Sequence, residues 1–327
     1  MKSVFPALIF LVTALFAASL LIGPAGLGLM ESLRALVGGD GSPVVQVMQE
    51  IRLPRAILGL LIGATLGLSG AAMQGYLRNP LAEPGLIGVS SSSALGAVIA
   101  LQTGVAASFA LALPLAALAG AGLSVLLILT LAGPRGGALA LILAGIAISA
   151  LAGALTSMVL NLSPNPFAAL EIVYWMMGSL ADRSMVHVWL AAPFMLAGMA
   201  ALMTLGRGLD ALTLGEDAAQ TMGVNLIRLR WVLILGTAAS VGAAVAVAGA
   251  VGFVGLVVPH ILRPLVGARP SRLLPASALG GAAMLLAADI ATRLIAPDRD
   301  LKLGVLTAIV GAPFFLHLIW RSRKVEA

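Results

Sequence analysis

Residues 56–73 form a run of eighteen side chains without a charge, most of them apolar. As a helix rising 1.5 Å per residue, the run reaches across most of a bilayer core of about 30 Å. Gly59, Gly63 and Gly67 recur every four residues within it and share one helix stripe. A stripe of small residues admits a second helix at close range where lipid supplies no hydrophobic push between helices. Arg52 and Arg55 precede the run, and Gln74, Arg78 and Asn79 close it. Pro80 and Pro84 then bar a simple helical continuation. The chain must turn there and re-enter the apolar phase through the glycine- and serine-rich residues 85–93.

The remaining chain extends this constraint. Of 327 residues, 60% are hydrophobic and 10% charged, against about 25% charged in soluble domains. Such a chain cannot cover a water-facing surface. It reads as an all-α, polytopic membrane protein whose residues 1–327 form a single transmembrane domain. Its 38 glycines and alanine-rich runs suit close-packed helices, whereas a β-barrel requires alternation. The formal charge of +6 is scattered between apolar runs, which argues against nucleic acid and for lipid-facing anchors and topology signals. With no cysteine, disulfides and thiolate metal sites are excluded.

About ten spans are expected, near residues 4–30, 56–75, 86–102, 109–131, 138–160, 188–205, 231–249, 252–265, 274–295 and 304–320. The first reads as an uncleaved span rather than a signal peptide, because its apolar stretch outruns a usual signal core. The eighth contains Gly252, Gly255 and Pro259 and reads as broken or tilted. With both termini placed in the cytoplasm, twelve of the 19 basic residues fall inside, Lys2, Arg135, Arg321, Arg323 and Lys324 among them, in keeping with the positive-inside bias. Glu216 then lies inside and Asn165 outside. Ser42 and Pro43 suit the start of a short helix before Arg52, which Pro54 is expected to keep separate from the span.

The longest inner loop contains residues 207–224. Gly215, then Glu216 and Asp217, and finally Gly223 mark a short helix with acids in its first turn. Leu214, Ala218, Ala219 and Met222 supply its apolar face. The acids disfavour contact with an anionic leaflet, so a protein partner is the better occupant.

The stretch RLPR at 52–55, Ser69, Gly70 and Gln74, and RNPLAEPGLIG at 78–88 resemble the permease family of the iron-chelate, haem and vitamin B12 ABC importers. Leu214, Gly215, Ala219 and Gly223, residues 252–260, Arg263, residues 272–275, Ala288 and Asp289, and GAPF at 311–314 extend the resemblance over nearly the whole chain. A departure is DLKLG at 300–304, where Lys302 replaces a proline. The resemblance implies the type II ABC importer permease fold, a homodimer with the pathway along its twofold axis, and a place near that path for the fifth and last spans. It also implies a cytoplasmic ATP-binding subunit dimer that carries ATP and Mg and docks on the 207–224 helix. An external substrate-binding protein would meet Arg52, Arg55 and Arg293, and the setting would be the bacterial cytoplasmic (inner) membrane. From the residues alone, interfacial anchoring by Arg52 and Arg55 stands beside recognition of carboxylates.

Neither catalysis nor a resident cofactor is expected of this chain. It lacks a GxxxxGK[ST] loop, and His187, His260 and His317 lack metal-ligand spacing. Asp289 and Arg293, four apart, read as a structural ion pair rather than an ion relay. Met73, Met158, Met176 and Met177 suit either packing or a slippery path. The expected cargo is an iron chelate, siderophore first and haem second. Vitamin B12 import and ion-coupled secondary transport are the alternatives.

Overall fold

The computed structural model describes residues 4–23, 26–39, 41–109, 111–133, 136–163, 166–297 and 299–323, the side chains of 317–319 and 321–323 apart. Lys2, Arg135, Asn165 and Lys324 lie outside the described residues, as do the side chains of His317, Arg321 and Arg323.

Fifteen helices make up the described chain, without a strand among the described residues. They are α1 (Val4–Leu21), α2 (Leu29–Val37), α3 (Pro43–Gln46), α4 (Leu53–Leu77), α5 (Val89–Gln102), α6 (Ala112–Ala132), α7 (Ala138–Asn161), α8 (Pro166–Met176), α9 (Met185–Met203), α10 (Gly206–Leu212), α11 (Glu216–Thr221), α12 (Leu226–Ala248), α13 (Val254–Leu262), α14 (Pro270–Ile295) and α15 (Leu303–Arg323). Seven stretches are long and apolar enough to cross a membrane: α1, the run from Pro43 to Leu77, α6, α7, α9, α12 and α14. Among the described residues α5, α8 and residues 303–316 of α15 are shorter apolar helices, which is roughly consistent with about ten spans.

Two boundaries depart from expectation and a third, the broken element at 252–265, follows it. The first span stops at Leu21, and a separate amphipathic α2 follows. Residues 252–265 hold only the nine-residue α13 and a 3-10 turn at Pro264–Val266. Nine residues rise about 13 Å, half a bilayer core. The second departure concerns Pro54. Ser42 caps α3, its Oγ accepting from the Val45 N–H at 3.4 Å, but no break follows. A π-helical turn at Val47–Arg52 joins α3 to α4. Pro54 sits just after that turn, where widened pairing removes the clash and missing bond that a proline causes in a regular helix.

α4 lies at the centre, touching α14, α9, α12, α13 and α1. α4 and α12 are mostly buried, whereas only a minority of the residues of α1, α6, α7 and α9 are buried within this chain. The glycine stripe decides which helix comes closest. A Cβ at Gly63 would collide with the Gly281 carbonyl of α14, and one at Gly67 with the Ser277 carbonyl. Gly59 meets the Leu286 side chain of the same helix. A polar chain crosses from α4 to α13 and the residue that follows it. Arg263 donates to Gln74 Oε1 at 2.7 Å, and Gln74 Nε2 donates to the Leu256 carbonyl at 3.3 Å.

The turn before α15 is held without its proline. Lys302 pairs with Asp300 and lies 5.5 Å from the Tyr174 ring centre, and Ser179 donates to Asp300 at 3.2 Å. The Leu303 N–H closes the turn on the Gly178 carbonyl at 2.9 Å.

Candidate functional site

Two interruptions of the helical chain meet beside the midpoint of α4. One spans residues 78–88, between α4 and α5, and includes a 3-10 turn at Pro84–Ile87. The other spans 249–253, between α12 and α13. They are packed against one another: a Cβ at Gly255 would lie 2.6 Å from Pro84 Cδ and 2.9 Å from the Leu66 carbonyl. Each break requires unusual backbone. Gly88 has φ +73, and a side chain there would also strike Ile148 of α7 at 2.9 Å. Phe253 takes φ +68, a strained value for a bulky residue. Irregular backbone at membrane depth persists only where protein buries it or a cavity solvates it.

Such a cavity is present, with a volume of ≈ 600 Å³. Its walls include Leu66 of α4, Ser90 and Ser91 of α5, Ser149 of α7, Phe253, and Glu83 beside the first break. The helices α5 and α13 both begin at this space, so their free N–H groups open toward it. Broken helices around a half-depth cavity are the arrangement that membrane transporters use to hold cargo. Sequence reasoning identified the re-entrant segment 85–93 but assigned no role to Glu83 or the serines. Glu83 and Ser90–Ser91 were visible as polar residues next to a break, whereas Ser149 is an ordinary residue of an apolar helix. Among the described residues no cluster of three His, Asp or Glu could hold a metal ion.

At one end of the bundle Arg55 and Arg293 converge on Asp289, and Arg52 is held at the end of α1. Arg55 Nε and Nη2 each lie 2.9 Å from Asp289 Oδ1. Arg293 donates to Asp289 Oδ2 at 2.8 Å, to the Ser19 and Ile22 carbonyls at 2.8 and 2.7 Å, and to Ser19 Oγ at 2.7 Å. Arg52 is buried and donates to the Leu20 and Leu21 carbonyls, both at 3.0 Å. Arg52 and Arg293 thus cap the C-terminal end of α1, where helix carbonyls lack partners. Of the arginines expected to meet an external partner, Arg52 is buried within this chain. The helix continues through Pro54 and turns Arg52 inward, while Arg55 keeps partial exposure.

At the opposite end, α10 and α11 form the 207–224 segment. Asp210 accepts from the Ser271 N–H at 2.8 Å and from Ser271 Oγ at 2.6 Å, tying α10 to the start of α14. Gly215, with φ +107, starts α11, whose first turn carries Glu216 and Asp217. The expected apolar face is split. Ala219 is fully buried within this chain and Ala218 half-buried, whereas Leu214 and Met222 stand exposed beside Gly223. The helix is only six residues long, so one turn carries Ala219 inward and the flanking residues outward.

Comparison with known proteins places these features in context. The model of the FecCD transport family matches residues 10–321. The chain is 39% identical over 304 residues to the cobalamin import system permease protein BtuC of Halobacterium salinarum, covering 93% of this chain and 78% of that one. It is 37% identical over 311 residues to the hemin transport system permease protein HmuU of Yersinia pestis, covering 93% of each. A solved ABC transporter structure in an inward-facing conformation superposes with a TM-score of 0.86 at 34% identity, covering 98% of this chain and 99% of that one.

Proposed function

This chain belongs to the FecCD transport family, and we propose from that premise that it carries an iron chelate, a ferric siderophore or haem, through the half-depth cavity by alternating access. It is a multi-pass permease subunit of an ABC importer rather than an enzyme, and ATP hydrolysis resides on a separate subunit. Relatives named for haem and for cobalamin support a bulky metal chelate as cargo. The observation that carries the reading is the cavity itself, lined by two chain breaks beside the midpoint of α4.

The assembly we propose is a homodimer in the bacterial cytoplasmic membrane, with both termini inside. The exposed face of α7 supports it, because Ala147, Ala150, Gly153 and Ala154 are small residues of the kind that lets two helices pack closely. That face borders the cavity through Ala150. An ATP-binding subunit dimer, holding ATP and Mg, docks inside on Leu214 and Met222, flanked by Glu216 and Asp217. Movement of α11 reaches the cavity through a continuous path: α10 is tied to α14 by Asp210, α14 packs on the α4 glycine stripe, and Leu66 of α4 lines the cavity. Outside, a substrate-binding protein docks over the arginine cluster, with Arg55 as the accessible cation and Arg52 and Arg293 holding the surface in place.

Uptake into proteoliposomes tests the proposal. The permease with its ATP-binding subunit and binding protein should accumulate ferric siderophore or haem only with ATP on the ATPase side. Uptake driven by a proton or sodium gradient without ATP would refute it.

A further inference from the structure

Among the residues that line the central cavity, Glu83 alone is ionisable. It precedes Pro84 at the break between α4 and α5, and its backbone carbonyl accepts from the Leu86 N–H at 3.2 Å, which fixes the segment that carries it. The described ion pairs engage Asp289 and Asp300, and none engages Glu83. The hydroxyls of Ser90, Ser91 and Ser149 share the same space, while Leu66, Ile146 and Phe253 make apolar wall. An acid at membrane depth without a protein partner is costly to keep, and such groups mark cargo or ion pathways. The starts of α5 and α13 open on the same space. The carboxyl side chain of Glu83 lines the cavity, where a cargo would meet it.

We infer that Glu83 selects cargo by charge: of the two cargoes proposed above, the cavity takes a neutral or cationic ferric siderophore that presents N–H or O–H donors in preference to haem, whose propionates are anionic. The inference rests on reading this cavity as the pathway. Hydroxyls can either donate or accept, so the serines accommodate cargo of either kind and the discrimination falls to the carboxylate. A unit charge lining a cavity with apolar walls separates cations from anions by roughly tenfold.

The chain has no cysteine, so single cysteines report the cavity cleanly. Ser91→Cys permease, purified with its ATP-binding subunit, is reacted with cationic 2-aminoethyl and anionic 2-sulfonatoethyl methanethiosulfonate, each rate divided by that of a free thiol. The cation should react about tenfold faster, and Glu83→Gln should bring the ratio near one. Glu83→Asp should retain the preference. Ser149→Cys on α7 repeats the measurement from a second wall, which separates a cavity-wide field from a local effect. An equal ratio with and without Glu83→Gln overturns the inference. So does the absence of modification at both positions, since a cavity closed to both reagents cannot sort them. The chemistry needs no transport. Loss of ATP-driven uptake with the preference intact would sink the pathway reading alone, and a transport-competent protein without the preference would sink the inference alone.

Discussion

Replacing Gly63 with alanine adds one methyl group at the closest approach of α4 and α14. The added carbon would lie 2.8 Å from Ala282 Cα and from the Gly281 carbonyl carbon, and closer still to the Gly281 oxygen. Relaxed carbon contacts lie at about 3.5–4.0 Å, so the two backbones must separate by roughly 1 Å. No flexible side chain is present to yield, because the clashing atoms are backbone. Overpacking of this kind costs about 1–3 kcal/mol, and only about 0.5–1 kcal/mol returns from the better helix propensity of alanine. Gly122 of α6 is the control, with nothing within 4 Å of its added methyl. Gly122→Ala should therefore be neutral or slightly stabilising. Gly67→Ala meets the Ser277 carbonyl on the same helix face. One displacement of α14 relieves both clashes, so Gly63→Ala/Gly67→Ala should cost less than the two single changes together. The assay is thermal unfolding of the purified permease in one detergent, followed by tryptophan fluorescence and by the monodisperse fraction after heating. Equal melting of Gly63→Ala and Gly122→Ala would refute the close-contact reasoning.

Leu214→Asp/Met222→Asp should leave the permease folded but abolish its stimulation of the ATP-binding subunit, since buried apolar anchors are each worth about 2 kcal/mol or more at an interface. Ala219→Trp should instead destabilise the permease itself, because Ala219 is fully buried within the chain; unchanged melting would contradict that placement. Arg55→Gln should slow association of the binding protein several-fold at low ionic strength and much less at high salt, as surface-plasmon kinetics would register. An unaltered association rate would remove Arg55 from the docking surface. In intact cells an impermeant maleimide should label Glu171→Cys but not Glu216→Cys, and the reverse pattern would invert the proposed orientation.

The membrane class and the helical architecture were legible in the sequence because both depend on composition and local spacing. A run such as 56–73 has few alternatives to a helix in lipid, and prolines at 80 and 84 interrupt it wherever it packs. The family motifs marked the 207–224 segment and the arginines for the same reason, since a motif is local. The four-residue spacing likewise made a pair of Asp289 and Arg293 expected, and they are joined at 2.8 Å. What spacing could not convey was direction and distant partnership. Arg55 joins that pair from 234 positions away in the chain, and Arg52 turns inward because a π-helical turn carries the helix through Pro54. Ala219 faces its own bundle because α11 is one short turn wedged against α10 and α12. The cavity arises only when two breaks, near residues 83 and 253, close around the midpoint of α4. Glu83 became a candidate for function there, since a carboxylate beside a proline turn is unremarkable in a list of residues and significant only once tertiary packing surrounds it with membrane-buried wall.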